Sequence, residues 1–351
     1  MDCMRCSKLP AIFFKNPNVY VKLPTNHHFD LFEIAMENMN YSFERQNEGF
    51  YIRNVDFKAF VDYLDKEIFN SVEQKDVMIL PLEKDESLTF SSLSNYRNLE
   101  SWSNFYNGLD VVSIIEDLRI KTLFQPIVDA NTLEIYGYEA LSRGILEDGS
   151  IMNPGELFSK AKAMDLLFFL DRVCREASIR AASKQNIDKK VFINFIPTSI
   201  YEPSLCLRST ARVLDEESMD SKQVVFEVVE TERVADFNHL NRILNYYKDK
   251  GYSTALDDIG SGFSNIDALM ELRPDYMKID MGVVRNIHMD EKKQKKLDEY
   301  VKYGRRIELK ILAEGIETMD EFNYLKGKGV DLMQGYLFGK PQEVPLLSVS
   351  I

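Results

Sequence analysis

Eleven side chains could carry chemistry in this sequence: Glu139, Asn194, Glu227, Glu230, Asp257, Asp258, Lys278, Asp280, Glu314, Glu317 and Gln334. They stand at or just after the ends of seven successive short apolar runs, and eight of them are carboxylates. Any one alone is explained as a helix N-cap, a common role for an acid after a strand. Seven run ends behaving alike are not. Carboxylates brought together repel and raise one another's pKa unless a cation balances them. Hard oxygen ligands of this kind suit Mg²⁺ or Mn²⁺, and the number of donors is enough for two ions. Two such ions activate a water and hold the attacking and leaving oxygens of a phosphodiester. Asp257-Asp258 fits that task. Adjacent strand residues point to opposite faces, yet at a turning strand end both can reach a metal pair, and Gly260-Ser-Gly-Phe263 supplies the tight turn.

The positioning elements follow from the hydrophobic pattern. Strand candidates fall at 122–128, 135–141, 190–195, 224–229, 253–257, 276–279, 310–313 and 332–337, with amphipathic helix-length stretches such as 156–184, 237–250 and 290–305 between most of them. Alternation of this kind implies parallel strands with crossover helices, and eight strands in about 240 residues fit a closed (β/α)8 TIM-like barrel. Six residues separate 128 from 135, too few for a crossover of a dozen or more. The first two strands are therefore a hairpin, and the barrel contains one antiparallel strand. Before it, 19–23, 41–45, 49–53 and 77–80 read as strands, and 30–39 and 57–69 as helices. That is a small α/β domain of β-α-β-β-α-β order. The polar, Ser-rich stretch 83–100 reads as a connector, which divides the chain into 1–103 and 104–351. Position before the barrel suggests a regulatory or dimerising role for the first part, with no partner indicated.

Composition narrows the function classes. The 351 residues carry a net charge of −13, with 45% hydrophobic and 11% aromatic residues. Such a chain buries a core, and its acidity speaks against a grip on polymeric nucleic acid. No segment is long and apolar enough to span a bilayer, and the run Ala11-Ile-Phe-Phe14 is too short for a signal-peptide core, so a cytoplasmic protein is expected. Four cysteines make no disulfide framework at this length, and Cys174 reads as a small core residue. Cys3-Met-Arg-Cys6 has the spacing of half a zinc site, with His27-His28 conceivable as the other half; two reduced thiols at a terminus are the simpler reading. The run Lys292-Lys-Gln-Lys-Lys296 reads as a solvated helix face.

From 109 to 341 the motifs resemble, in order, those of the EAL-domain phosphodiesterases, which act on the bacterial second messenger cyclic di-GMP. They are Glu139-Ala-Leu141 with Arg143, Asn194-x-x-Pro197, Glu227-x-x-Glu230, Asp257-Asp258-x-Gly260-x-Gly262, Lys278-Ile-Asp280, Ala313-Glu-Gly-Ile-Glu317 and Gln334-Gly-Tyr-x-Phe-x-Lys-Pro341. The resemblance implies that Glu139, Asn194, Glu227, Asp257 and Asp258 bind Mg²⁺ or Mn²⁺, two ions per site. It implies that Lys278 and Glu314 orient the attacking water with help from Gln334. Arg143 and Gln125 would contact substrate, and Glu230 and Glu317 would hold the metal loop. The implied reaction is hydrolysis of cyclic di-GMP to linear pGpG by a homodimer paired through the barrel. Ile259, Ser261 and Val229 depart from the commoner Phe, Thr and Thr, and none of these changes removes a ligand. The alternative is a non-catalytic cyclic di-GMP receptor that signals through the amino-terminal module. Retained acids favour the enzyme, since converging carboxylates are costly without metals.

Overall fold

The computed structural model describes residues 14–83, 88–90, 92–228, 237–260 and 266–351. The chain forms two compact units. The first comprises residues 8–113 together with 155–166. Its strands β1 (Asn18–Lys22), β2 (Phe43–Gln46), β3 (Gly49–Ile52), β4 (Met78–Leu82) and β5 (Arg97–Asn98) form an antiparallel sheet in the order β2-β3-β1-β4-β5. Helices His27–Asn38 and Phe57–Tyr63 occupy the expected places between strands, giving the β-α-β-β-α-β order. Phe32, Phe50, Phe60 and Trp102 are fully buried, as are Val19 and Val21 of the alternating strand β1.

The end of the stretch expected as connector runs into a buried helix. Leu99 and Trp102, three residues apart on helix Leu99–Asn107, are both wholly buried, and the indole N–H donates to the Ile79 carbonyl at 3.3 Å. Two aromatic or aliphatic anchors at helical spacing outweigh a polar average. The helix expected at 156–184 is two helices, Pro154–Ala163 and Leu167–Lys184. Asp165 takes a left-handed φ of 57°, and the Leu166 N–H turns back to the Ala161 carbonyl at 2.7 Å, ending the first helix. That first helix groups with the first unit, where Lys160 pairs with Asp110 at 2.7 Å.

The second unit is the barrel. Its strands are β6 (Ile120–Asp129), β7 (Ile135–Ile145), β9 (Lys190–Phe195), β10 (Val224–Val228), β11 (Ser253–Ile259), β12 (Tyr276–Ile279), β13 (Lys310–Ala313) and β14 (Leu332–Gln334). A two-residue β8 (Ile151–Met152) extends the end of β7. The order β6-β14-β13-β12-β11-β10-β9-β7 closes through the β6–β7 pairing. As the short link required, β6 and β7 form a hairpin, and β6 runs antiparallel to both its neighbours. The other barrel pairings are parallel.

Side chains alternate along a strand, so residues two apart share a face. Ile127, Phe192, Val225, Ala255, Tyr276, Leu312 and Leu332 form one buried apolar cluster. Two positions nearer the rim stand Gln125, which precedes Ile127 because β6 runs the other way, and Asn194, Glu227, Asp257, Lys278, Glu314 and Gln334, which follow their partners. The apolar layer therefore floors a polar layer at the rim. Outside the barrel wall, helix Leu167–Lys184 buries a charged pair. Arg175 Nε and Nη2 donate to Asp171 Oδ2 at 3.0 and 2.9 Å, and Asp171 Oδ1 accepts the Ile196 N–H at 2.9 Å. Arg175 also donates to the Thr210 hydroxyl. No helix among the described residues is long and apolar enough to cross a membrane.

Candidate active site

Lys278, at the end of β12, is the hub of the rim and is only 1% exposed. Its ammonium lies 2.7 Å from Glu314 Oε1, 3.0 Å from Glu227 Oε1, 3.2 Å from Asp257 Oδ1 and 3.8 Å from Glu139 Oε1. Register makes this possible: β12 pairs Lys278 with Leu312 on β13, and β10 pairs Glu227 with Asn194 on β9. Four strands thus deliver carboxylates around one cation.

A single ammonium cannot neutralise four carboxylates. Burial pushes Glu227, Asp257 and Glu314 above the usual carboxylate range; Lys278 pulls each down, and their mutual repulsion pushes them further up. Asp258 is pushed up to about 6 by burial and by the neighbouring Asp257 and Asp280. Burial alone would lower the Lys278 pKa, but Asp257, Glu139, Glu227 and Glu314 more than offset it and raise it well above the ordinary value.

The donor set suits a divalent cation. Oxygens of Asp257, Asp258 and Glu314 lie within 4.8 Å of one another. Glu227 is fully buried, yet among the described residues neither of its oxygens accepts a well-directed hydrogen bond. Lys278 Nζ is close enough to Glu227 Oε1 for an ion pair, but the approach is not that of a hydrogen bond. A buried carboxylate that accepts no hydrogen bond and shares its one ammonium with three other acids is costly unless a further cation joins it.

Glu139 is held by two amides. Gln334 Nε2 donates to its Oε2 at 2.7 Å and Asn194 Nδ2 donates to its Oε1 at 3.1 Å. The same Gln334 nitrogen donates to Gln125 Oε1 at 3.1 Å, and Gln125 in turn donates to the Gly339 carbonyl at 3.3 Å. Arg143 shares the strand face of Glu139 and donates to the Ser142 carbonyl at 2.8 Å. Burial lowers its pKa, and Glu139 and Tyr336 oppose that shift. A pocket of about 270 Å³ opens above these groups, lined by Gln125, Glu139, Glu314, Glu317, Gln334 and Tyr336 among others.

Not every expected residue converges. Glu317 lines the pocket but pairs with Arg285 at 2.7 Å and is 45% exposed, away from the Lys278 hub. Asp280 caps the short helix after β12, accepting the Gly282 N–H at 2.8 Å, so the bland N-cap reading describes it well. Glu230 and Val229, Ser261 and Gly262, and Cys3 and Cys6 lie outside the described residues. His28 faces Thr25 at 2.8 Å and Glu73 at 3.3 Å. Cys174 is buried, as expected of a core residue. Sequence reasoning missed Tyr336, 56% exposed at the pocket, with the Lys340 ammonium 5.3 Å from its ring centre. The sequence carries it within Gln334-Gly-Tyr, and the structure fixes Gly335 there by close approach, since a Cβ would lie 2.0 Å from the Ile316 carbonyl oxygen.

The EAL domain profile matches residues 112–341, about two thirds of the sequence and all of the rim described above. The chain belongs to the EAL-domain family. Among its relatives, the probable cyclic di-GMP phosphodiesterase PdeG of Escherichia coli K12 is 28% identical over 232 residues. That match covers 65% of this chain and 45% of the relative, so the chain spans less than half of PdeG's length. A standalone versatile EAL protein from Vibrio cholerae O395, solved in its c-di-GMP-bound form, is 39% identical. It superposes with a TM-score of 0.60 over 66% of this chain and 95% of that one. Klebsiella pneumoniae BlrP1, solved as a manganese and cy-diGMP complex, shares the fold at 20% identity with a TM-score of 0.58, over 93% of this chain and 96% of that one.

Proposed function

We propose that this EAL-domain chain is a metal-dependent phosphodiesterase that hydrolyses cyclic di-GMP to linear pGpG. The observation that carries the reading is the fully buried Glu227 carboxylate, which accepts no hydrogen bond among the described residues, beside the cluster of Asp257, Asp258 and Glu314. Relatives named for cyclic di-GMP or solved with it support the substrate class. Glu139, Asn194, Glu227, Asp257 and Asp258 would hold Mg²⁺ or Mn²⁺, two ions in all. When bound, such ions neutralise developing charge and acidify water.

The remaining chemistry falls to the chain itself. Glu314, 2.7 Å from the Lys278 ammonium and raised by burial above the usual carboxylate range, would orient the attacking water and accept its proton. Lys278, held protonated by the acids around it, would orient that water together with Glu314. Gln334, which donates to the Glu139 carboxylate, would help fix that water. Arg143 would grip a phosphate through its planar guanidinium, and Gln125 would meet the substrate from β6. Glu230 and Glu317 would steady the loop after Asp258. Pairing of two barrels into a homodimer, and a regulatory role for the first domain, belong to the same reading.

The test is chromatography of nucleotides after incubation of cyclic di-GMP with the full chain and Mg²⁺ or Mn²⁺. The expected product is pGpG, and none should form in EDTA. Lys278→Ala and Glu314→Gln should still bind nucleotide while losing most turnover. A wild-type protein that binds cyclic di-GMP tightly with metal present, yet leaves it intact, would establish the receptor reading instead.

A further inference from the structure

The lysine run after Asp290 is only partly a solvated face. Lys292 and Lys295 are exposed, but two of its neighbours fold back onto rim loops. Lys293 Nζ donates to the Arg285 carbonyl and Lys296 Nζ to the Gly260 carbonyl, both at 2.6 Å. Gly260 comes two residues after Asp258. The backbone there is unusual: Asp258 has φ of 53° and Gly260 φ of 114°. A side chain other than hydrogen at Gly260 would put its Cβ 2.6 Å from Val283, so the turn is closed in from one side. A non-glycine residue in the left-handed region persists only where its surroundings hold it there. The Asp258 N–H also turns back to Asp257 Oδ1 at 2.9 Å, so one turn sets both carboxylates. The same side faces helix Glu291–Arg306, rooted by the buried Leu297 and Tyr300, from which Lys296 reaches the turn.

We propose that Lys296 is a positioning residue for the metal site: its ammonium pins the Gly260 carbonyl and thereby the turn that presents Asp257 and Asp258 to a divalent cation. The inference rests on the metal-dependent reading above and assigns part of that site's affinity to a residue outside its ligand set. A charge-assisted bond to a fixed carbonyl has the strength and direction for this work. The sign of the effect separates positioning from simple charge. If Lys296 acted only as a nearby positive charge, its removal would tighten cation binding, because an acidic site would lose a competitor. If it pins the turn, removal weakens binding.

Mn²⁺ titration of the full chain by calorimetry decides this, with Lys296→Met, Lys296→Arg and Lys292→Met measured beside wild type. Lys296→Met should weaken Mn²⁺ binding about tenfold or more, the usual cost of losing a group that orients metal ligands. Lys296→Arg, which keeps a charged donor, should recover most of that loss, and Lys292→Met should match wild type. Half-saturating Mn²⁺ for hydrolysis should rise in parallel, with KM for the nucleotide unchanged. Lys296→Gln serves if Lys296→Met no longer unfolds cooperatively. Wild-type or tighter Mn²⁺ binding by a folded Lys296 variant overturns the proposal alone. Failure of wild type itself to bind Mn²⁺ overturns the metal-dependent reading and this inference with it.

Discussion

Asp258→Asn should stabilise the metal-free protein while destroying its metal site. The carboxyl is raised from 3.8 to about 6 by burial and by Asp257 and Asp280, so at pH 8 the folded chain holds an anion it would rather not have. A rise from 3.8 to about 6, at about 1.4 kcal/mol for each pH unit, sets a ceiling of ~3 kcal/mol. Asp258 is only half-buried, so solvent screening cuts this to about 1.5 kcal/mol. Asparagine is neutral at every pH, is close to isosteric, and tolerates the left-handed φ of 53° as well as aspartate does. The sign is fixed by linkage. A carboxyl with a raised folded pKa binds more protons folded than unfolded, so its contribution is whole below about pH 4 and is lost as pH rises through about 6. Urea denaturation of both proteins in EDTA should therefore give equal stabilities near pH 4 and a variant more stable by about 1–2 kcal/mol at pH 8. Added Mn²⁺ should reverse the order at pH 8, because only wild type gains binding energy on folding. A variant less stable than wild type at pH 8 in EDTA would refute the view that Asp258 is held against its electrostatic preference.

Three further outcomes are expected. Glu139→Ala should cut hydrolysis by roughly a hundredfold or more with an unchanged circular dichroism spectrum, since it removes a rim oxygen donor and not core volume; wild-type turnover by the folded variant would dismiss Glu139 as a ligand. Arg175→Met should cost about 3–5 kcal/mol at pH 8 in urea denaturation by leaving the buried Asp171 unpaired. The loss should shrink as pH falls, because burial already raises the Asp171 pKa and the carboxyl can take up a proton, and a loss independent of pH would contradict the pairing. A chain starting at Asn104 should fold and keep metal-dependent hydrolysis, because all the converging acids lie beyond it and Asp110, the partner of Lys160, is retained. An insoluble or non-cooperative product would place the boundary elsewhere.

The barrel was legible because its two signals are strict. Period-two alternation put Phe192 below Asn194, Val225 below Glu227 and Tyr276 below Lys278, so a polar residue ending an apolar run had to face the rim. The six-residue link after Val128 forced the antiparallel strand by length alone. Other features depend on contacts that one-dimensional pattern does not encode. The break at Asp165 is a local left-handed turn in a stretch whose apolar period runs on through it. Glu317 pairs with Arg285, a residue from the loop after a different strand. Lys293 and Lys296 sit in a run that composition describes as solvated, and their carbonyl partners are 8 and 36 residues away. Trp102 lies just past a serine-rich stretch, and only its i−3 partner Leu99 hinted at burial.

The discontinuous first unit has a consequence for how the chain is made. Residues 155–166 belong to that unit but are synthesised after the β6–β7 hairpin, which belongs to the barrel. On a ribosome delivering about 5–20 residues per second, the amino-terminal sheet can assemble early but lacks its last helix for several seconds. During that interval Asp110 has no Lys160, and the barrel hairpin is already outside with its remaining strands still to come. The small unit cannot finish before the barrel hairpin has been made. The order of synthesis therefore interleaves the two folding reactions, and slowing translation near residue 166 should expose an intermediate with a complete small sheet and an open hairpin.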